Sequence, residues 1–183
     1  MKMGPMMIVS NFVLFQIGWF AAVLSAAEQR PWFGVVVTIA VVVTHIFRAA
    51  MPRPELELVL LSLGLGLVFD SLLAWQGWLH YSSGIVFTNV APFWIVALWG
   101  LFATLLNVSL RWMRGRWGLA MLFGAVGGPV AYYGGLQLGA LEFGNPPAAL
   151  LALSIGWAVL MPLLLALSVR FDGYAGLLER KAV

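Results

Sequence analysis

The 183-residue sequence has few of the side chains that most enzymes use for chemistry: no cysteine, two histidines and 9% charged residues. The lack of cysteine excludes disulfides, thiolate metal sites and cysteine nucleophiles. Two histidines are too few for the multi-histidine boxes of membrane desaturases or for a three-histidine zinc site. The only lysines are Lys2 and Lys181, so no apolar run contains a lysine that could form a Schiff base with retinal. We therefore expect no metal and no cofactor.

Motifs of nucleotide binding and of serine hydrolysis are also missing. The glycines of "GLGLVFD" lie inside an apolar run and not between a strand and a helix, so they do not form a dinucleotide-binding loop. No G-x-S-x-G elbow surrounds Ser82 or Ser83. The sequence therefore offers no complete catalytic set.

Apolar residues are abundant instead. They make up 62% of the chain and give it a mean hydropathy of +0.97, far above the range of soluble domains. The sequence thus predicts an integral membrane protein. The pI of about 9.7 does not indicate nucleic-acid binding, because the arginines lie at the ends of the apolar runs.

Six apolar runs reach the roughly 20 residues that a helix needs to cross a hydrocarbon core of about 30 Å. The runs are joined by short connections, which indicates one domain over residues 1–183. We predict an all-α integral membrane protein, a six-transmembrane-helix bundle, with a short tail over 170–183. The expected spans are 6–27, 32–50, 56–79, 90–110, 117–141 and 147–169.

The positions of the basic residues predict the orientation of the bundle. Nine of the ten Lys and Arg residues fall on one side of the expected membrane, and Arg30 alone falls on the other. By the positive-inside rule, the N- and C-termini are expected to be cytoplasmic. Tryptophans and tyrosines near the expected helix ends are typical of an aromatic belt.

Three expected helices share a layout that runs from a proline on the outer side to an arginine on the inner side. They are "PWFGVVVTIAVVVTHIFR", "PFWIVALWGLFATLLNVSLR" and "PPAALLALSIGWAVLMPLLLALSVR". One interpretation is a set of three related helical hairpins. The simpler interpretation is that proline suits the first turn of a helix and arginine suits a cytoplasmic end, so unrelated helices would look alike.

Asp70 is an acidic residue in the middle of an apolar run. At a rise of about 1.5 Å per residue, it lies in the outer half of the membrane, level with two tyrosines of helix five. Glycines at small-residue spacing on helix five predict close packing against helix three. We expect a pocket between helices three, four and five, with Asp70 within reach of Tyr132, Tyr133 or Gln137. The candidate ligand-binding residues are Asp70, Gln76, Tyr132, Tyr133 and Gln137.

Two interpretations of Asp70 stay open. It either serves a ligand or only holds helix three against helix five by hydrogen bonds. A charged aspartate at the centre of a membrane helix costs about 2.5–3.5 kcal/mol even on the lenient insertion scale, which favours a functional role.

A second polar layer is expected near the cytoplasmic boundary, where we predict a structural role. Asn107 shares a helical face with Arg111, four residues further on. Because buried amides need partners, Asn107 is expected to bond to Asn11, to His45 or to a neighbouring carbonyl. The layer comprises Asn11, His45, Asn107, Ser109 and Arg111.

Five stretches in order resemble a family of small bacterial inner-membrane proteins catalogued as domain of unknown function 2878. They are "NFVLFQIGWFAAVL", "DSLLAWQG", "APFWIVALWGLFATLLNVSLRW", "GGPVAYYGGLQLGAL" and "GWAVLMPLL". The resemblance implies a location in the bacterial inner membrane. It also implies a link to membrane-lipid modification, since members are often encoded beside synthases of the cyclopropane-fatty-acid type. The residues of this chain that match the family's motifs include Asn11, Asp70, Trp99, Asn107, Ser109, Arg111, Pro129, Tyr132 and Tyr133.

Three hypotheses for function follow. The protein binds or moves a lipid or another amphipathic small molecule, with membrane lipids and a lipid-modifying enzyme as partners and no nucleic acid. Alternatively, it is an enzyme or enzyme subunit acting on acyl chains, with Asp70 as acid or base. In the third hypothesis it is a structural scaffold. We favour the first, because the sequence offers no catalytic set.

Overall fold

A computed structural model describes residues 4–176, which form six α-helices and two short strands. The prediction of an all-α membrane bundle is confirmed, since five of the helices are long and apolar enough to cross a membrane. Part of the expected tail, residues 177–183, lies outside the described residues. The elements are α1 (Pro5–Ala27), α2 (Pro31–Arg48), α3 (Pro52–Trp75), β1 (Leu79–Tyr81), α4 (Phe93–Leu106), a 3₁₀ turn (Arg111–Met113), α5 (Trp117–Gln137), β2 (Leu141–Phe143) and α6 (Pro146–Arg170).

Consecutive helices pack as three antiparallel hairpins, α1 with α2, α3 with α4 and α5 with α6. The first helix of each hairpin ends in a left-handed residue, namely Gln29 (φ 62°), Gly77 (φ 69°) and Gly139 (φ 82°). At each of these ends, backbone N–H groups after the helix donate hydrogen bonds to carbonyls of its last turn, as in a Schellman motif. The shared ends support the hairpin architecture, whereas a common origin by duplication stays a prediction.

The two ends of the bundle differ in chemistry. One end carries most of the arginines and is called the basic end; it holds the α2–α3 and α4–α5 connections and the C-terminal end of α6. The other end is closed by β1 and β2, which pair antiparallel with His80 opposite Glu142, and is called the strand end. The expected spans 56–79 and 117–141 are therefore too long at this end, because each helix stops several residues earlier and the chain continues as a strand.

Helix α4 is shorter than predicted. It covers Phe93–Leu106 instead of 90–110, and 14 residues rise only about 21 Å, less than the hydrocarbon core of about 30 Å. Ten of its 14 residues are buried, because α1, α2, α3 and α6 all pack against it. Its flanking cap residues are Pro92 and Asn107, and the Asn107 side chain donates a hydrogen bond to the Phe171 carbonyl. Irregular backbone at membrane depth is tolerated where protein surrounds it, as at both ends of α4.

The predicted packing of helix three on helix five is wrong. A Cβ added at Gly66 of α3 would overlap the indole ring of Trp99 in α4, and one added at Gly128 of α5 would overlap Trp157 in α6. The small residues thus admit two tryptophans, which stack on each other between α3 and α5 with ring centroids 4.7 Å apart. Glycine spacing predicts close approach, but it does not name the partner.

Candidate functional site

Asp70 is fully buried and is the centre of a hydrogen-bond hub that joins four elements. Its Oδ1 accepts from the hydroxyls of Tyr81 in β1, at 2.7 Å, and Tyr132 in α5, at 2.6 Å. Its Oδ2 accepts from the indole Nε1 of Trp99 in α4, at 2.6 Å. The predicted contact between Asp70 and Tyr132 is confirmed. Sequence reasoning missed Tyr81 and Trp99 as partners of Asp70.

The geometry of the hub suits an ionised carboxylate. An indole N–H can only donate, and the two tyrosine hydroxyls approach the other oxygen at distances typical of charge-assisted hydrogen bonds. Within residues 4–176, no lysine, arginine or histidine makes a hydrogen bond or ion pair with Asp70. The hub therefore places three neutral donors around a carboxyl group that has no cationic partner within residues 4–176.

The structure does not bring the other three candidates to Asp70. Tyr133 is 51% exposed, because the residue after Tyr132 points about 100° further round the helix. Gln76 is exposed at the C-terminal end of α3, and Gln137 is exposed at the last residue of α5. The single pocket expected to collect all five side chains is therefore not formed. Whether any of the five contacts a ligand stays a prediction.

A cavity of about 250 Å³ lies elsewhere than expected, between α1, α4, α5 and α6. Helices α1 and α5, both fully described, do not pack closely along each other, although the Trp19 ring of α1 reaches Gly134 of α5. The cavity lies between these two helices. Phe12 and Phe123 line the cavity and are 51% and 45% exposed, which shows that it reaches the outer surface of the bundle. In a membrane that surface faces lipid, so the cavity opens sideways into the bilayer.

The hub forms part of the cavity wall. Trp99 and Tyr132 both line the cavity, and both donate to Asp70 behind them. Trp157 lines it as well and stacks on Trp99 with an interplanar angle of 14°. Asp70 itself does not line the cavity, but it holds in place two side chains that do, Trp99 and Tyr132.

A second buried network lies at the basic end and centres on Glu55, which is 0% exposed. His45 Nε2 lies 2.8 Å from Glu55 Oε2, and Glu55 Oε1 accepts from the Asn107 amide and, at 2.9 Å, from the backbone N–H of Gly173. Asn107 also donates to the Phe171 carbonyl at 2.8 Å. A carbonyl was one of its expected partners, whereas no hydrogen bond joins it to Asn11 or His45.

Asp172 extends this network through two arginines. It pairs with Arg111 Nη2 at 2.7 Å and with Arg114 Nη1 at 2.8 Å, and Arg114 also donates to Asn107. Burial raises the pKa of the Asp172 carboxyl, but the hydrogen bonds from both arginines outweigh burial and hold that pKa below its ordinary value. The pairs therefore stabilise the fold at neutral pH, and this contribution is lost as the pH falls through the lowered pKa.

The remaining members of the predicted layer bond close by. Ser109 donates to Asn11 Oδ1 at 2.6 Å, and Asn11 donates to the Thr104 carbonyl at 3.1 Å. The Tyr174 hydroxyl donates to the His45 carbonyl at 2.7 Å. The contacts of Asn11 join α1 to α4 and to the turn after it, and the Tyr174 contact anchors the segment after α6 against α2.

Replacing Tyr132 by phenylalanine is expected to destabilise the protein, because the change removes one of three hydrogen bonds to a buried carboxylate. Hydrogen bonds to charged groups contribute about 1.5–3 kcal/mol. Thermal unfolding in detergent, followed by the monodisperse fraction on size exclusion, measures the loss. The matched control is Tyr133→Phe, which removes an exposed hydroxyl from the next residue and is expected to change little. Equal effects of the two changes would contradict the role of the hub.

The fold and the hub define the protein as an all-α integral membrane protein with a buried carboxylate beside a laterally open cavity. The chain belongs to the family described as protein of unknown function DUF2878, whose profile matches residues 8–163. The resemblance seen in the ordered motifs is thereby confirmed. No curated protein and no solved structure matches the chain significantly.

Proposed function

We propose that this membrane protein binds the apolar part of a lipid, or of another amphipathic small molecule, that enters from the bilayer between α1 and α5. The observation that carries the proposal is the cavity of about 250 Å³, whose lining is almost wholly apolar and aromatic and which is open at Phe12 and Phe123. Ligand pockets are typically concave and apolar with a few placed polar groups. Here the polar atoms of Trp99 and Tyr132 bind Asp70 behind the wall, and the buried indole N–H of Trp157 has no hydrogen-bond partner among the described residues.

The dimensions of the cavity suit a hydrocarbon chain. Along α5 the lining residues run from Phe123 to Gly135, and 12 residues rise about 18 Å. Half of a hydrocarbon core measures about 15 Å, which is the depth that one acyl chain of a lipid occupies. An engineered apolar cavity of about 150 Å³ already binds benzene, so the larger cavity has room for several carbon atoms.

The orientation and location complete this proposal. We place the basic end in the cytoplasm of a bacterial cell and the bundle in the inner membrane, because Arg48, Arg53, Arg114 and Arg116 follow the positive-inside rule. Reporter fusions after residue 183 and within the exposed loop near residue 86 test the orientation. A periplasmic signal from the C-terminal fusion would reverse it.

The geometry gives less support to an enzyme that uses Asp70 as acid or base. A catalytic acid or base must lie within hydrogen-bond reach of the reacting group, whereas Asp70 is fully buried behind Trp99 and Tyr132. Binding needs no direct access to Asp70. A role beside a lipid-modifying enzyme is compatible with binding and rests on the family resemblance alone.

Filling the cavity tests the proposal. Gly127 lines the cavity, and a Cβ added there would meet only the Phe123 ring, at 3.8 Å, so Gly127→Leu fills space without a backbone clash. Gly118 lies on the same helix, is exposed, and has nothing within 4 Å of an added Cβ, so Gly118→Leu is the matched control. The probe is phosphatidylcholine with a dibrominated acyl chain, added to purified protein in mixed micelles.

Bromine quenches tryptophan fluorescence at contact, and Trp19, Trp94, Trp99 and Trp157 all line the cavity. The wild-type protein and Gly118→Leu are expected to show a saturable quenching component at about one lipid per protein, which Gly127→Leu loses. Quenching that rises linearly in all three proteins would reflect contact with bulk lipid only and would overturn the proposal.

A further inference from the structure

We infer that the cavity selects amphipathic molecules that carry a positive charge, such as organic ammonium or phosphonium ions with apolar substituents. The inference deepens the proposed function and rests on it, because it names the chemical class of molecule that the same cavity accepts. Three features carry it: an unpaired carboxylate behind the wall, an aromatic lining, and the absence of basic groups from the lining.

The first feature is the charge of the hub. Asp70 is stabilised by Tyr81, Tyr132 and Trp99, which are neutral donors, and it has no cationic partner within residues 4–176. Hydrogen bonds spread the charge of a carboxylate but do not cancel it. Because screening by water is weak inside a membrane protein, the potential of Asp70 extends through Trp99 and Tyr132 into the cavity.

The second feature is the aromatic lining. Nine of the 21 lining residues are Phe, Trp or Tyr. From α1 to α4, the rings of Phe15, Phe102, Trp157 and Trp99 form a continuous series of edge and stacked contacts. The faces of aromatic rings carry partial negative charge and attract organic cations, an interaction that strengthens where water is excluded.

The third feature is the absence of basic groups. No lysine, arginine or histidine occurs among the lining residues, all of which lie in the described part of the chain. An anion in the cavity would lie within the negative potential of Asp70 and against aromatic rings, with no compensating positive charge in the lining. Charge complementarity therefore favours a cation, disfavours an anion, and leaves a neutral molecule between the two.

Three probes that carry phenyl groups on a central phosphorus or boron atom and differ in charge test the inference: tetraphenylphosphonium, neutral triphenylphosphine oxide and the anion tetraphenylborate. Binding to the purified protein is measured by equilibrium dialysis in maltoside micelles, with protein-free micelles as the blank. We expect the affinity of the phosphonium to exceed that of the neutral probe by about tenfold or more. The borate is expected to bind more weakly than either. These measurements need no variant.

Two variants assign the selectivity to Asp70. Asp70→Asn is expected to bring the ratio of the phosphonium and neutral-probe affinities close to one. The ratio is the readout, because the amide also loses the oxygen that accepts from Trp99, so both affinities can change together. The control Glu142→Gln removes an exposed carboxylate of β2 and is expected to keep the preference. Wild-type protein that binds the cation and the neutral probe equally overturns the inference and leaves the proposed function standing. Wild-type protein that binds neither probe, and shows no saturable quenching by brominated lipid, overturns both.

Discussion

Replacing Gly128 by leucine is expected to prevent stable folding of the protein. A Cβ at this position would overlap the indole ring of Trp157 and would lie 2.7 Å from its Cβ. Trp157 cannot retreat easily, because it stacks on Trp99, which in turn donates to Asp70. Added methylenes in a packed core cost about 1–3 kcal/mol, and leucine adds four carbons where the first already overlaps. We expect no monodisperse protein after extraction in mild detergent.

The control for this change is Gly118→Leu, on the same helix and open to its surroundings. Leucine has a higher helix propensity than glycine by somewhat less than 1 kcal/mol, so the control is expected to be neutral or slightly stabilising. The pair separates a general effect of leucine in α5 from the specific overlap with Trp157. Normal yield and thermal stability of Gly128→Leu would show that the stacked tryptophans are not tightly held.

Much of the fold follows from features that act locally along the chain. Apolar length sets the number of spans, and proline marks the start of helices such as α1, α2 and α6. Helix α4 departs from this pattern because its ends are fixed by tertiary contacts: Asn107 bonds to the Phe171 carbonyl from 64 positions away. Composition alone does not distinguish a buried central helix from one that faces lipid.

The candidate site was partly predictable for a related reason. A carboxylate in an apolar run identifies Asp70. The helical rise per residue gives the depth of Asp70 in the membrane, and Tyr132 lies at a similar depth on α5, which predicts the contact between them. Depth does not give the rotation of a helix about its axis, so Tyr133 looked equivalent to Tyr132. Tyr81 was missed because it reaches Asp70 only once β1 folds back against β2. Trp99 was missed as a partner because an indole in an apolar helix is ordinarily part of the core.

The basic end shows the same limit. His45 and Glu55 are ten positions apart, so their proximity across a short turn is visible in the sequence. Gly173 donates to Glu55 from 118 positions away, and the ion pairs of Asp172 with Arg111 and Arg114 also span most of α5 and α6. No local spacing encodes these contacts, since they arise only when the segment directly after α6 packs against the α2–α3 and α4–α5 connections.

Replacing Glu55 by alanine is expected to destabilise the protein strongly. The change leaves His45 buried without its partner, since the side chains of the pair are 4% and 0% exposed. It also leaves the Asn107 amide and the Gly173 N–H without the oxygen that both share. A buried polar group left without its hydrogen-bond partner costs about 1–3 kcal/mol, and three such groups lose their partner here. The apparent melting temperature in detergent is therefore expected to fall by about 10 °C.

The matched control is Glu57→Ala, two residues further along α3. Glu57 pairs with Arg53 at 3.0 Å, but the two side chains are 40% and 89% exposed. Solvent screens such a pair, and exposed pairs at this helical spacing contribute only about 0.3–0.5 kcal/mol. Both variants delete a glutamate of α3 that has an arginine or histidine partner, and they differ in burial and in the two further partners that Glu55 has. Similar melting temperatures for the two variants would mean that water reaches the Glu55 network, and the basic end would then be open where the structure has it closed.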